Sequence, residues 1–250
     1  AIKQTIKNRV FGMKSGFVVR TIPLGLTKKI LDFKPGTVIC SNITEFLFLL
    51  PAKLIGGFSI GVILEETLHT SSQRSVFKQW VRSKLYKLMD YYIASGEETI
   101  KYLKQIGVSE SAIYKAWYSV DNAKYSVEKQ NKKDNIKKQW ITVGRMISAK
   151  GIKELLLAWA KQNESFHRVN ELLIVGDGPQ LQEFSDLIET MLLNNVIMTG
   201  FKTPKELEKI YPSMDVFIFP TLIDTWGLVV NEAMAAGLPV VCSRYAGCYS

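Results

Sequence analysis

The sequence contains few of the residue types that build metal centres and disulfide frameworks. Its 250 residues include two histidines, His69 and His167, and three cysteines, Cys40, Cys242 and Cys248. Two histidines exclude a multi-histidine metal centre, and three cysteines without a repeated spacing exclude a disulfide scaffold or a cysteine-rich zinc site. We therefore predict no metal site, and unpaired cysteines are typical of the reducing cytoplasm.

Long hydrophobic runs are also missing, since no apolar stretch approaches the roughly 20 residues of a membrane-spanning helix. Hydrophobic residues make up 47% of the sequence and charged residues 22%. This composition is ordinary for a folded protein and excludes an intrinsically disordered chain.

Positive charge is unevenly distributed along the chain. Residues 1–125 carry 18 Lys and Arg against 9 Asp and Glu, which accounts for the whole net charge of +9. Residues 141–250 carry 9 basic and 12 acidic residues, a net charge of −3. Two units with different electrostatic roles are indicated. Nucleic acid would account for a basic half, but no known reader motif is present, so we expect no nucleic-acid partner.

Apolar runs and helical periodicity alternate along the chain and predict parallel α/β domains. In the second half we predict strands at 140–143, 171–175, 196–198, 216–219 and 239–242, and helices at 151–161, 180–193, 204–210 and 227–236. In the first half we predict strands at 37–40, 58–64, 91–94 and 113–118, and helices at 24–33, 45–55, 75–89 and 97–107. Strands that alternate with helices are typical of doubly wound, Rossmann-like sheets.

A polar, Lys-rich segment at 123–139 is predicted to link two domains, 1–122 and 140–250. We expect both domains to be partial. No opening strand with a glycine-rich turn is predicted in the first half, and the last predicted strand lacks the following elements that usually cover a sheet edge.

The densest group of candidate functional residues follows the predicted strand 216–219. Asp224 precedes a predicted helix that opens at Gly227, and Glu232 lies within that helix. The backbone N–H groups of Leu228 and Val229 at a helix N-terminus favour an anionic ligand such as phosphate. Carboxylates beside them suit sugar hydroxyls, which they accept as hydrogen-bond donors. Alternatively, Asp224 is a helix-entry residue and Glu232 a surface glutamate.

The segment 220–240 resembles the signature of the retaining glycosyltransferases of family 4, which have the GT-B fold with two Rossmann-like domains facing a cleft. The matching residues are Gly227, Leu228, Glu232, Ala233, Met234, Ala235, Gly237, Pro239 and Val240. Asp224 departs from the glutamate that is usual in the family and is one methylene shorter. The resemblance implies that Asp224 holds a donor-sugar hydroxyl and Glu232 the nucleotide ribose. It also implies that Thr225, Gly227 and the N–H groups of Leu228 and Val229 bind the nucleotide-sugar donor.

The resemblance extends to segment 143–151, where it implies that Arg145 and Lys150, beside Gly144, stabilise the departing diphosphate. A guanidinium and an ammonium suit that charge, although both could be solvated surface cations. Gly176 lies in a segment that resembles the family's turn near the nucleotide. Phe201 lies in a segment that resembles the one beside the nucleobase. A plain tight turn and a buried core aromatic are the respective alternatives.

Two features of the first half relate to the acceptor. The resemblance implies that Glu65, Glu66 or His69 reaches the active site, and the sequence does not distinguish among them. The predicted helix 75–89 carries four cations and an apolar face. It would suit either an anionic membrane surface or the protein core with a solvated basic face.

The resemblance implies transfer of a sugar from a nucleotide-sugar donor, UDP- or GDP-linked, to a saccharide or lipid-linked saccharide acceptor with retention of configuration. It implies no metal and no other cofactor, a cytoplasmic enzyme that also associates with the inner face of the membrane, and a role in surface polysaccharide, lipopolysaccharide or capsule synthesis. The alternatives are a truncated, non-catalytic remnant and a basic membrane-binding module.

Overall fold

The computed structural model describes residues 8–11, 20–23, 25–125 and 137–249. The chain divides into two compact units. The first contains residues up to 64 together with 74–95 and 102–116, and the second contains 65–73, 96–101 and the residues from 117 onwards. Residues 126–136 of the predicted linker lie outside the described residues, and the domain boundaries at 122 and 140 stay predictions.

The first half of the chain contains a four-stranded parallel sheet. Its elements are β1 (Asn8–Phe11), β2 (Arg20–Pro23), α1 (Leu26–Phe33), β3 (Thr37–Cys40), α2 (Ile43–Gly56), β4 (Ser59–Leu64), α3 (Leu68–Ser72), α4 (Val76–Tyr86), β5 (Tyr91–Ala94), α5 (Glu97–Gln105) and β6 (Ile113–Lys115). Strands β3, β4, β5 and β6 pair in that order, all parallel. Strands β1 and β2 form a separate antiparallel pair.

The second half contains a five-stranded parallel sheet. Its elements are α6 (Asn122–Tyr125), β7 (Lys138–Val143), α7 (Ile152–Ala160), α8 (Glu164–Val169), β8 (Asn170–Val175), α9 (Leu181–Thr190), β9 (Val196–Met198), α10 (Pro204–Ile210), β10 (Val216–Phe219), α11 (Leu228–Ala235) and β11 (Val240–Cys242). The strand order is β11-β10-β7-β8-β9. Chain progression therefore reverses between β7 and β10, and ligands of such sheets bind beyond the carboxyl ends of the strands at this point.

Both faces of this second sheet are buried, which explains its almost continuous apolar strands. Leu172 and Ile174 of β8 pack into one cluster with α7 and α9. Val175 of β8 packs into the other cluster, beneath α10 and α11. Successive residues of a strand point to opposite faces, so one strand serves both clusters. The predicted doubly wound α/β architecture is confirmed.

The predicted bounds differ from the observed ones by at most three residues at either end of an element. The predicted strand 113–118 ends at Lys115. Beyond it, the rings of Trp117 and Tyr118 contact Trp226 in the second unit. The helices α3, α6 and α8 and the β1–β2 pair were not predicted. Each has six residues or fewer, too few to show a hydrophobic period.

Helix α4 has an exposed apolar surface. Val76 is 82% exposed, Phe77 72% and Trp80 58%, and Tyr86 is the only residue of this helix that is fully buried. The alternative in which this helix turns its apolar face to the core is therefore wrong for its first two turns. No helix in the described part of the chain is long and apolar enough to cross a membrane.

Candidate active site

The loop after β7 carries the two predicted cations. It runs through Arg145 into a 3₁₀ turn, Ser148–Lys150, and ends at Gly151, whose φ is +67°. Hydrogen bonds from Gly144 N to Val175 O (3.0 Å) and from Met146 N to Asp177 O (2.9 Å) hold it against the turn after β8. A Cβ at Gly176 would lie 1.8 Å from Gly144 O, so this turn requires glycine for packing.

The loop after β10 is bound to the loop after β7. Ala149 O accepts hydrogen bonds from Leu222 N (2.9 Å), Ile223 N (3.0 Å) and Thr221 Oγ1 (2.9 Å). This contact brings together side chains 74 residues apart, and Lys150 Nζ forms an ion pair with Asp224 Oδ2. Asp224 Oδ1 also accepts a hydrogen bond from Trp226 N, at 3.1 Å.

Helix α11 begins at the same place. Its N-cap residue is Gly227, with φ +103°, and no side chain caps the helix. The first N–H groups of a helix have no partner within the helix, and the helix dipole gives this end a partial positive charge. The N–H groups of Leu228 and Val229 therefore give this end of α11 a partial positive charge beside Lys150 and Arg145.

These elements surround a cavity of about 520 Å³ within the second unit. The predicted site residues that line it are Glu65, Gly144, Arg145, Lys150, Asp224, Thr225, Gly227, Leu228 and Val229. The cavity thus combines two cations, a helix N-terminus and carboxylates. Within the described residues, no group of three or more His, Cys, Asp or Glu is placed to hold a metal ion.

Five predicted residues do not line this cavity. Gly176 packs against the loop after β7, and Phe201 is 67% exposed, which contradicts the buried-core alternative. Glu66 is buried. His69 Nε2 lies 3.0 Å from Leu222 O, and its ring stacks on Tyr245 at 4.8 Å.

Glu232, the fifth of these residues, is partly buried, so the surface-glutamate alternative is wrong. Its Oε2 accepts a hydrogen bond from Tyr211 Oη at 3.0 Å. Burial raises the pKa of the Glu232 carboxyl, and hydrogen bonds from the Tyr211 and Tyr125 phenols partly offset that shift.

Five lining residues were not predicted as site residues, and two of them, Tyr118 and Trp226, carry hydrogen-bonding groups. Tyr118 Oη donates to Glu65 Oε1, and Thr225 Oγ1 donates to Glu65 Oε2 at 3.1 Å, so both carboxylate oxygens are engaged. Burial, with the Glu65 hydrogen bond, raises the pKa of Tyr118 to about 12. The sequence carried a signal for Trp226, because it stands between Thr225 and Gly227 in the segment 220–240, whereas Tyr118 lies outside both motif segments.

Comparison with known proteins decides the family. Residues 124–250, half of the chain, match the family described as Glycosyl transferases group 1. The chain belongs to this family. An uncharacterised glycosyltransferase of Methanocaldococcus jannaschii is 36% identical over 111 residues, 44% of this chain and 28% of that protein. A GDP-mannose-dependent α-mannosyltransferase of Corynebacterium glutamicum is 24% identical over 202 residues, 77% of this chain and 44% of that protein.

Solved structures support the GT-B fold of this group 1 chain. The lipopolysaccharide outer core galactosyltransferase WaaB superposes with a TM-score of 0.73 at 16% identity, over 89% of this chain and 60% of that one. Anabaena HepE in complex with UDP superposes with a TM-score of 0.75 at 18% identity, over 89% of this chain and 64% of that one. The predicted GT-B fold class is confirmed. The chain spans less than half the length of the curated relatives it matches, and the roles of the site residues stay predictions.

Proposed function

We propose that the protein transfers a sugar from a nucleotide-sugar donor to a hydroxyl of a saccharide or lipid-linked saccharide. The observation that carries the proposal is the convergence of Arg145, Lys150 and the N-terminus of α11 on one cavity at the reversal point of a doubly wound sheet. Positive groups fixed in this way suit a diphosphate, whose negative charge increases as it departs.

The chemistry assigns distinct roles to the cavity groups. Arg145 can bind two phosphate oxygens with its guanidinium, while Lys150 and the N–H groups of Leu228 and Val229 bind the rest of the charge. Lys150 is paired with Asp224 in this structure. A bound diphosphate would compete for Lys150, which would leave Asp224 Oδ2 to accept a hydroxyl of the donor sugar.

Retention of configuration is part of the proposal. The bond from the anomeric carbon to the diphosphate oxygen breaks, and the acceptor oxygen bonds to that carbon on the same face. The acceptor proton passes to the departing phosphate oxygen. In this arrangement no protein nucleophile is required. The positive charge comes from Arg145, Lys150 and the helix N-terminus, so we propose transfer without a metal ion or other cofactor.

We propose a UDP- or GDP-sugar as donor and surface polysaccharide synthesis as the pathway. Relatives support both choices, since one is named a GDP-mannose-dependent mannosyltransferase and another a putative colanic acid glycosyltransferase. HepE is described in complex with UDP and glucose. Deletion of the gene from its host tests the pathway, because unchanged surface glycans would contradict it.

The activity is tested with the full-length protein and a panel of UDP- and GDP-sugars. We expect nucleoside diphosphate release that requires a glycan or glycolipid acceptor, persists in EDTA, and gives a product with the donor's anomeric configuration by NMR. Lys150→Met should lower turnover by roughly 100-fold, whereas Lys153→Met, which removes an exposed lysine paired with Glu183, should not. Equal turnover in both variants would contradict the site. Nucleotide binding without transfer would favour a non-catalytic remnant.

We also propose that the protein is cytoplasmic and associates with an anionic membrane surface through α4. The support is the exposed Phe77 and Trp80 beside Lys78 and Lys84, because exposed aromatics flanked by lysines suit an anionic interface. Flotation with phosphatidylcholine vesicles, with and without phosphatidylglycerol, tests this proposal. Binding should require the anionic lipid, and equal recovery from both vesicle types would contradict it.

A further inference from the structure

Glu232 occupies an unusual environment for a carboxylate. It lies four residues after Leu228 on α11, and residues four apart in a helix share a face. Leu228 lines the cavity at the start of that face. Glu232 therefore lies one turn further along α11, where it is partly buried and contacts Tyr211, a member of the core cluster beneath the helix.

Two phenols from different elements act on the carboxylate. Tyr211, which is fully buried in the 3₁₀ turn Tyr211–Ser213, donates from Oη to Glu232 Oε2 at 3.0 Å. Tyr125, the last residue of α6, is also buried, and its phenol, like that of Tyr211, lowers the pKa of Glu232 against the effect of burial. The two rings pack edge to face with centroids 6.0 Å apart, which restricts the position of both hydroxyls.

This arrangement orients the carboxylate without neutralising it. Neutral phenols are weaker partners than a cation for a partly buried charge, so the charged form of Glu232 is costly to maintain. A carboxylate has about four lone-pair sites, and two phenolic donors leave acceptor capacity for further hydroxyls. A costly, rigidly held carboxylate one helical turn from a phosphate-binding end is typical of ligand recognition rather than of packing.

We propose that Tyr125 and Tyr211 are positioning residues that orient Glu232 to accept hydrogen bonds from the ribose hydroxyls of the nucleotide. The inference rests on the proposed function, because it requires a nucleotide in the cavity. It adds two residues, 86 positions apart in the sequence, that act on the ligand only through Glu232. Neither belongs to the contiguous motif around α11.

The test measures binding of UDP and 2′-deoxy-UDP to the full-length protein by calorimetry, or of GDP and 2′-deoxy-GDP if GDP binds more tightly. The wild type should prefer the ribonucleotide about tenfold, the usual effect of one hydrogen bond to a charged group. Glu232→Gln should lose most of that preference. Tyr211→Phe and Tyr125→Phe should each lower it several-fold, with little change in affinity for the deoxynucleotide.

The matched control is Tyr92→Phe. Tyr92 is equally buried, and its Oη donates to backbone carbonyls of Tyr86 and Met89 in the first unit. It should lower thermal stability without changing the ribose preference. If Tyr211→Phe and Tyr125→Phe both keep the ribose preference of the wild type, the inference is overturned but the proposed function is not. Failure of the wild type to bind either nucleotide would overturn the proposed function as well.

A pH series adds a readout that a merely structural role would not change. Ribose preference should fall as pH falls through the pKa of Glu232, and the Phe variants should move that midpoint to higher pH. They lack a hydrogen bond that lowers this pKa. Two other titratable groups lie on elements packed against α11, namely Lys124 on α6 and Cys242 on β11. Burial raises the pKa of Tyr125, and the negative charge of Glu208 on α10 contributes to that shift. An unmoved midpoint in both Phe variants would overturn the inference.

Discussion

Lys150 and Asp224 are each predicted to contact the donor, yet in this structure they bind each other. Their side chains are only 22% and 14% exposed. The second Asp224 oxygen holds Trp226 N, so the carboxylate also fixes the loop that leads into α11. The pair therefore fixes the loops after β7 and β10 to each other, and it consists of two groups to which the proposed function assigns donor contacts.

A double-mutant cycle on this pair should show strong coupling. Lys150→Met or Asp224→Asn alone leaves a largely buried partner without its counter-charge, and we expect each to lower stability by about 1–3 kcal/mol. The double variant should be less destabilised than the sum of the two single variants. Urea unfolding of the full-length proteins measures this coupling, and additive effects would show that the pair is energetically independent.

Glu232→Gln should affect stability in a pH-dependent way. Burial raises the pKa of Glu232 from its ordinary value of 4.5, so the folded state holds its proton to higher pH than the unfolded state. Wild-type stability should therefore fall as pH rises from 4.5 through the raised pKa. The Gln variant lacks this loss, so its melting temperature relative to the wild type should rise as pH rises over the same range. A constant difference between the two proteins across this pH range would contradict the shift.

Most cavity residues could be predicted because they are contiguous with strand ends. Arg145 follows β7, and Asp224 and Gly227 follow β10, so a motif and a parallel sheet place them together. Tyr118 and its partner Glu65 are 53 residues apart and share no motif. Only the folded chain brings them to the cavity, as it brings Tyr125 to Glu232.

At the scale of elements, one close approach joins the two loops that form the cavity. A Cβ at Gly151 would lie 2.1 Å from Pro220 O, and the φ of Gly151 is +67°. Gly151 is therefore required both for its backbone conformation and for the contact between the loops after β7 and β10.

Gly151→Ala should be considerably more harmful than Gly200→Ala. Gly200 has a similar φ of +71° but open space where a Cβ would lie. Gly200→Ala should cost about 1 kcal/mol for the left-handed conformation alone. Gly151→Ala should cost about 2 kcal/mol more, because the Pro220 carbonyl must move, and donor turnover should fall with it. Equal urea midpoints for the two variants would contradict the contact.

The predicted elements were most accurate where residues such as proline mark an end, since Pro204 begins α10 and Pro220 follows β10. The bounds predicted for β3, β5, β9, α10 and β10 agree with the structure. The segment 113–118 was predicted too long because its aromatic residues favour a strand. In the structure the strand ends at Lys115, and the rings of Trp117 and Tyr118 lie against Trp226, a tertiary contact that local sequence does not reveal.

At the scale of the whole molecule, charge separates the two halves. The whole excess of nine positive charges lies in residues 1–125, whereas residues 141–250 are net −3. The proposed binding of an anionic donor therefore rests on individual groups such as Arg145 and Lys150 rather than on the overall charge of this segment. The basic half, with the exposed apolar residues of α4, suits a different anionic partner.

The double variant Phe77→Ser, Trp80→Ser should lower recovery with anionic vesicles at least several-fold while donor turnover on a water-soluble acceptor persists. The two rings are 72% and 58% exposed, so their loss should not destabilise the fold. A matched pair of exposed leucines outside α4, Leu54→Ser and Leu192→Ser, should retain vesicle binding. Equal recovery of both double variants would contradict the assignment to α4.

A crystal structure of the full-length protein with UDP or GDP would test the proposed donor site. The diphosphate should lie in the cavity with its oxygens about 3 Å from the Arg145 guanidinium, Lys150 Nζ and the N–H groups of Leu228 and Val229. The ribose should face Glu232, and the pair between Lys150 and Asp224 should be broken. A nucleotide bound elsewhere, with that pair intact, would rule out this site.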